Sequence, residues 1–123
     1  MKIRRILGKL ANDYKLSGSL LVIFNSDIQM SGLNYRFKGK NVSTDVLAFD
    51  LAEKENNNYI DGEIYVNLQI ARRQAYDHKV KYLEEVSRLC LHGFLHLLGF
   101  SDKKVDDKKV MWQVQEGYLK THF

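Results

Sequence analysis

The hydrophobic positions follow two different periods. Near the start, Ile3, Ile6, Leu7, Leu10, Ala11 and Tyr14 recur every three or four residues. This predicts an amphipathic helix over 2–15, with Lys2, Arg4, Arg5 and Lys9 on its wet side. Residues 20–24 are a continuous aliphatic and aromatic run of strand length, entered through Ser17-Gly18-Ser19. Ser26-x-x-Gln29 is a capping-box pattern and predicts a short helix carrying Ile28, Met30 and Leu33. Residues 37–43 read as a loop and 44–49 as a strand by β-branched and aromatic content. The stretch 50–62, with Asn56-Asn57-Asn58, reads as an exposed flexible loop closed by an Asp61-Gly62 turn. A strand over 63–66 follows, and Asn67 is placed to cap a helix reaching about Tyr76. Residues 79–98 predict the longest helix, apolar nearly all round from Leu89 onward, as a helix in the middle of a domain is. A last helix from about Asp106 carries Val110, Met111, Val114 and Tyr118.

This order of elements predicts an α+β fold: a small mixed β-sheet packed with helices, one of them laid across a face. The 123 residues make one domain, 1–123, with room for one core. Hydrophobic content of 45% and charged content of 28% are those of an ordinary globular protein. The single cysteine, Cys90, excludes an internal disulfide and reads as a small buried hydrophobe. That usage fits a reducing cytoplasm. No apolar run approaches the ~20 residues a membrane span needs, and the N-terminus lacks the apolar core of a secretory signal. The expectation is therefore a cytoplasmic protein with no membrane partner. A net charge of +4 permits a nucleic-acid partner without demonstrating one. Basic residues cluster at Arg36-Phe37-Lys38-Gly39-Lys40, at Arg72-Arg73, and at Lys103-Lys104 with Lys108-Lys109. Asp106 and Asp107 offset the last cluster, which reads as a solvated helix start.

The chemistry concentrates in His92-Gly93-Phe94-Leu95-His96-Leu97-Leu98-Gly99-Phe100-Ser101-Asp102. Residues four apart share a helix face, about 6 Å apart along the axis. Two imidazoles so placed can converge on one divalent ion, most simply zinc. Gly99 suits a helix end with positive φ, and the reversal there would return Asp102 as a third ligand. The spacing is that of a metzincin zinc site, but Gly93 stands where a peptidase needs its glutamate base. The opposing reading is a pair of buried, hydrogen-bonded histidines.

The segment 92–100 resembles the signature H-G-x-L-H-L-x-G-Y-D-H of the YbeY family of bacterial rRNA maturation factors. Asn34-Tyr35-Arg36 resembles that family's N-x-x-Y-R-like segment. Residues 44–49, Thr-Asp-Val-Leu-Ala-Phe, resemble T-D-V-L-S-F, and Asp61-Gly62-Glu63-Ile64 resembles its G-D-I strand. Met111 and Glu116-Gly117-Tyr118 resemble its C-terminal M-x-x-x-E-x-x-Y pattern. The resemblance implies an α+β fold with a zincin-like metal site. It implies a metal-dependent, single-strand-directed endoribonuclease acting in 16S rRNA 3′-end maturation and ribosome quality control. The implied metal ligands are His92, His96 and a third position, where this chain has Asp102 and the family usually has histidine. Two histidines and a carboxylate suit zinc, and also iron, manganese or nickel. The family's cleft arginine carries over to Arg36.

Three protein ligands leave an open position for water, whose pKa a divalent ion lowers from about 15.7 towards about 7. Charge gathering on phosphate oxygens suits a guanidinium, here Arg36. Its alternative role is a structural pair with Asp45 or another carboxylate. Arg88, one turn before His92, either pairs with Glu84 or Glu85 or lines the cleft and contacts substrate. Lys38, Lys40, Arg72 and Arg73 are candidate phosphate contacts. Tyr35 and Phe37 are candidates to stack on bases, with core packing favoured over stacking. Glu63 and Glu116 are candidates to support a ligating histidine. Three functions remain open: an endoribonuclease acting on single-stranded or ribosomal RNA, a hydrolase of another substrate such as a peptide, and a non-enzymatic assembly factor. The last would bind RNA, the ribosome or a ribosomal protein and use its metal structurally.

Overall fold

The computed structural model describes residues 1–52 and 58–123. The elements run α1 (Lys2–Asp13), β1 (Ser17–Asn25), α2 (Asp27–Lys38), β2 (Val46–Asp50), β3 (Tyr59–Asn67), α3 (Leu68–His78), α4 (Tyr82–Leu97) and α5 (Val105–Lys120). The three strands form one mixed sheet in the order β1-β3-β2. β1 runs parallel to β3 with Val22 opposite Ile64, and β2 runs antiparallel with Ala48 opposite Ile64. The α+β expectation is thus met.

The central strand shows why the layers stack as they do. Ile60, Gly62, Ile64 and Val66 alternate with Asp61, Glu63 and Tyr65, so one face of β3 is apolar. α4 covers that face. It is buried nearly all round, through Val86, Leu89, Cys90, Leu91, Phe94, Leu95 and Leu97. α1 turns Ile3, Ile6, Leu7 and Leu10 into the same core, and α5 adds Met111 and Leu119. Burial pushes the Cys90 thiol up to about 12, so it packs as a hydrophobe. Gly93 is the close-approach point of α4 on the sheet. A Cβ there would lie 2.9 Å from Ile64 Cγ2 and 3.1 Å from Val46 Cγ2. A glutamate at 93 would run into the sheet, so the absent peptidase base is a packing requirement of this fold.

Several boundaries differ from the sequence reading. The strand expected over 63–66 begins at Tyr59 and passes straight through Asp61-Gly62. Gly62 is selected by packing instead of turn geometry, because a Cβ there would sit 2.7 Å from Leu97 Cδ1. β2 starts two residues later than expected, and α2 extends into the expected loop as far as Lys38. Its capping box is complete in both directions, as Ser26 and Gln29 predict. α4 is shorter than 79–98 and is matched in length by α5, each having 16 residues. Residues 53–57 of the expected flexible loop, including Asn56 and Asn57, lie outside the described residues. Among the described residues, no helix is long and apolar enough to cross a membrane.

Candidate metal centre and its groove

α4 brings His92 and His96 to one face, and the end of the helix brings Asp102 to both. After Leu97 the chain closes in a Schellman arrangement: Gly99 N–H donates to His96 O (3.0 Å) and Phe100 N–H to Leu95 O (3.1 Å), with Gly99 at φ +99°. The turn does what the spacing predicts. Asp102 Oδ2 lies 3.3 Å from His96 Nε2 and 3.6 Å from His92 Nε2. The two Nε2 atoms are 3.1 Å apart.

The far side of each ring settles its proton. His96 Nδ1 faces the carbonyl of Phe100 at 3.1 Å. A carbonyl only accepts, so Nδ1 carries a hydrogen, and in the neutral ring Nε2 keeps its lone pair. His92 Nδ1 faces Gln115 Oε1 at 2.9 Å, and Gln115 Nε2 donates to Glu116 Oε2 at 3.1 Å. The Glu116 carboxylate also only accepts, which orients the Gln115 amide and places the hydrogen of His92 on Nδ1. Three acceptor atoms, two Nε2 and one carboxylate oxygen, therefore face one another within 4.8 Å. One metal cation would satisfy all three together. Two ligands each about 2.05 Å from a tetrahedral ion stand about 3.3 Å apart. The observed 3.1, 3.3 and 3.6 Å fit that edge length. The buried-pair alternative for the histidines is thereby disfavoured.

Glu116 in turn is held by Arg88. The guanidinium gives Nε to Glu116 (3.0 Å), NH1 to Glu85 (2.7 Å), and NH2 to Glu116 (2.9 Å) and Glu84 (3.2 Å). Hydrogen bonding to Glu116, and then to Glu85, pushes Arg88 above even the usual guanidinium range, against the opposing effect of burial. All three nitrogens are engaged, so the expected pairing of Arg88 with Glu84 and Glu85 is seen, and the side chain also lines the groove beside His92. The chain Arg88–Glu116–Gln115–His92 makes Glu116 the supporting carboxylate and Gln115, 2% exposed, the direct partner of the ligand. Sequence reasoning missed Gln115. Its one signal is a polar residue on the buried stripe of α5, between Met111 and Leu119.

His92 and Asp102 line a groove of about 490 Å³ between α3, α4 and α5, whose walls include Asp45, His78, Arg88, Lys108, Lys109 and Trp112. Arg36 is not among them. It lines a separate crevice with Ile23, Asn25, Gln29 and Tyr65. Tyr65 alternates with Ile64, so that crevice lies on the sheet face away from α4. The structure does not bring Arg36 to the triad. Among the described residues it makes no ion pair either, so the Asp45 alternative is not seen. Asp45 instead accepts from Val46 N–H (2.8 Å) and Gln74 (3.5 Å).

Lys38 and Lys40 are exposed at and beyond the end of α2, outside the groove. Arg73 pairs with Asp27 at 3.1 Å, and Arg72 stacks over Tyr82. Tyr35 and Phe37 are exposed, not in the core, and Phe37 leans on Phe49 with ring centroids 4.8 Å apart. Glu63 accepts from the Tyr65 hydroxyl at 3.1 Å. His122 bonds locally to Thr121, while His78 sits 3.7 Å from Glu85 at the groove wall.

An α+β chain with a helix-borne pair of histidines, a carboxylate from the following turn and an open approach defines the class: a zincin-like fold whose three side chains could hold one metal ion. The family model described as endoribonuclease YbeY matches residues 1–122, and the chain belongs to that family. An endoribonuclease YbeY of Karelsulcia muelleri is 30% identical over 109 residues, 89% of this chain and 75% of the relative. That of Desulforamulus reducens is 34% identical over 112 residues, 86% of this chain and 73% of the relative. The solution structure of a Thermotoga maritima protein superposes with a TM-score of 0.70 at 28% identity, covering 96% of this chain and 77% of that one.

Proposed function

We propose that the chain, as one domain over 1–123, is a metal-dependent endoribonuclease that cleaves single-stranded RNA in 16S rRNA 3′-end maturation. The observation behind this reading is the set of three acceptor atoms at 3.1, 3.3 and 3.6 Å with the backs of both imidazoles already bonded. His92, His96 and Asp102 hold one divalent ion, most simply zinc. When bound, such an ion supplies Lewis acidity and a water made acidic enough to deprotonate near neutrality. The protein residues do the rest. Gln115 and the Phe100 carbonyl keep both histidines in the Nδ1–H tautomer and fix the ring planes. Asp102 lends a negative charge that lowers the net charge of the loaded site. Gly93 leaves no general base beside the first ligand, and Arg36 lies across the sheet. The charge on a cleaving phosphate is therefore met from the groove walls.

A non-enzymatic assembly factor with a structural metal is the competing reading. A structural site is closed by four protein ligands, whereas this one presents three and a groove. Elemental analysis together with cleavage of single-stranded RNA separates the two. The wild type should bind one metal per chain and cleave; His96→Ala should lose both; Arg36→Ala should cleave within about threefold of wild type. Bound metal with ribosome binding and no cleavage would favour the assembly factor. Cleavage that survives in His96→Ala belongs to a contaminating nuclease.

A further inference from the structure

α5 presents a second stripe, separate from the one it buries. Val105, Lys108, Lys109 and Trp112 stand at i, i+3, i+4 and i+7, so they share a face, and all four line the groove of His92 and Asp102. Asp106 and Asp107, which offset these lysines in the sequence, fall on other faces of the helix and do not line the groove. Among the described residues, neither lysine makes an ion pair. Trp112 is 55% exposed. An indole left this open beside two unpaired ammonium groups is a surface that the protein's own packing does not use. The stripe also has a fixed relation to the metal ligands. Gln115, which bonds His92, follows Trp112 by three residues and Lys108 by seven, about 4.5 and 10.5 Å along the helix axis.

Among the described residues, no carboxylate of the groove pairs with either lysine. Glu85 is bonded to Arg88, Asp45 accepts from Val46 and Gln74, and Asp102 belongs to the triad.

We infer that this stripe is the substrate wall of the proposed nuclease, with an unpaired base of single-stranded RNA stacked on Trp112 and the flanking phosphates on Lys108 and Lys109. Aromatic stacking tolerates any base, and two mobile ammonium groups read charge without sequence. The wall therefore accounts for single-strand selection without base readout. The bases of a duplex are stacked on each other and offer Trp112 no face. The inference rests on the endoribonuclease reading, and its test can fail separately from that reading.

Trp112 is the only tryptophan in the chain, so intrinsic fluorescence reports on this one side chain. The metal-loaded protein is titrated with a 2′-O-methyl single-stranded oligoribonucleotide, and steady-state cleavage of the unmodified oligonucleotide is measured in parallel. Saturable quenching is expected. Trp112→Ala should raise KM about 5- to 150-fold, the range of one lost stacking contact, while kcat stays within about threefold. Trp112→Phe, which keeps a ring, should recover much of the loss. Lys108→Ala with Lys109→Ala should flatten the salt dependence of binding by about 1.4 in log–log slope. Normal cleavage with unchanged fluorescence and a Trp112→Ala KM within twofold of wild type would overturn the wall and leave the nuclease reading intact. Quenching without any cleavage would support the wall and overturn the nuclease reading. Neither binding nor cleavage would overturn both.

Discussion

Two clusters of polar side chains sit in this small protein, and they are wired in opposite ways. At the end of β3, the fully buried Asn67 accepts from Gln69 N–H (3.0 Å) and Ile70 N–H (3.2 Å). It donates to Asp27 (2.7 Å) and Ser43 (2.9 Å), and Arg73 closes on Asp27 from outside. The side-chain oxygens of Asn67, Asp27 and Ser43 each face a donor. At the end of α4, the outer nitrogens of His92 and His96 are satisfied in the same manner, but the inner atoms are three acceptors facing one another. The first arrangement ties β3, α2 and α3 together and needs nothing more. The second has the place and the ligand atoms for a cation. Convergent atoms of one polarity, more than the presence of histidine, are what separate a ligand site from a structural knot.

The largest effects should come from crossing the two clusters. Structural zinc sites bind with about 10–16 kcal/mol over four ligands, or about 2.5–4 kcal/mol per ligand. His96→Ala should therefore weaken metal binding by two to three orders of magnitude, read by competition with a chromophoric chelator. Unfolding of the metal-free protein should change by less than about 1 kcal/mol, because His96 is partly exposed. Asn67→Ala should do the reverse. It removes a helix cap and strands the buried partners of the side chain, costing about 2–3 kcal/mol in urea unfolding. Its metal affinity should stay within about twofold of wild type. If Asn67→Ala lost the metal as well, the two clusters would be one unit and the contrast would fail.

The two clusters were unequally legible in the sequence. His92, His96, Gly99 and Asp102 lie within one helix and its turn, so spacing alone assembles them. The Asn67 cap and the Ser26–Gln29 box are local in the same sense. What spacing could not show is what the sheet and α5 add. Gln115 reaches His92 across 23 residues, and Trp112 joins the groove only because α5 packs on α4. Arg36 sits close to the β2 segment in sequence, yet α2 holds it in a crevice beside Tyr65, on the sheet face away from α4. Gly62 and Gly93 were read as a turn and as a missing base. Both are contact points of α4 on β3, and contact across layers leaves no local trace.

A smaller effect tests whether the outer half of the metal cluster works as described. Gln115→Leu keeps the volume of the side chain near constant but removes the acceptor for His92 Nδ1–H. Loss of such a supporting partner typically costs 10- to 100-fold in metal affinity. The expected outcome lies in that range and below the effect of His96→Ala. Gln115→Glu supplies a stronger acceptor at the same place and should retain most of the affinity. A Gln115→Leu protein that binds metal as wild type does would mean that the Nδ1 contact does not hold the ring.

The smallest effect isolates the saturated cluster by its response to acid. Hydrogen bonding to Arg73, then to Asn67, holds the Asp27 carboxyl below the usual carboxylate range. A carboxyl whose folded value is depressed contributes stability that is fully present above its unfolded value, about 3.9, and that is lost as pH falls through the folded value. The urea midpoint of the wild type should therefore exceed that of Asp27→Asn by a constant amount from neutrality to about pH 5, and the gap should close below about pH 4. Asp13, held low by its hydrogen bonds to Tyr118 and Lys9, titrates in both proteins and cancels in the difference. So does any metal lost from the triad in acid, since both proteins share it. A gap that persists at low pH would show that Asp27 acts through packing and not through its charge. Arg73 would then contribute nothing to the cluster, as surface pairs often do.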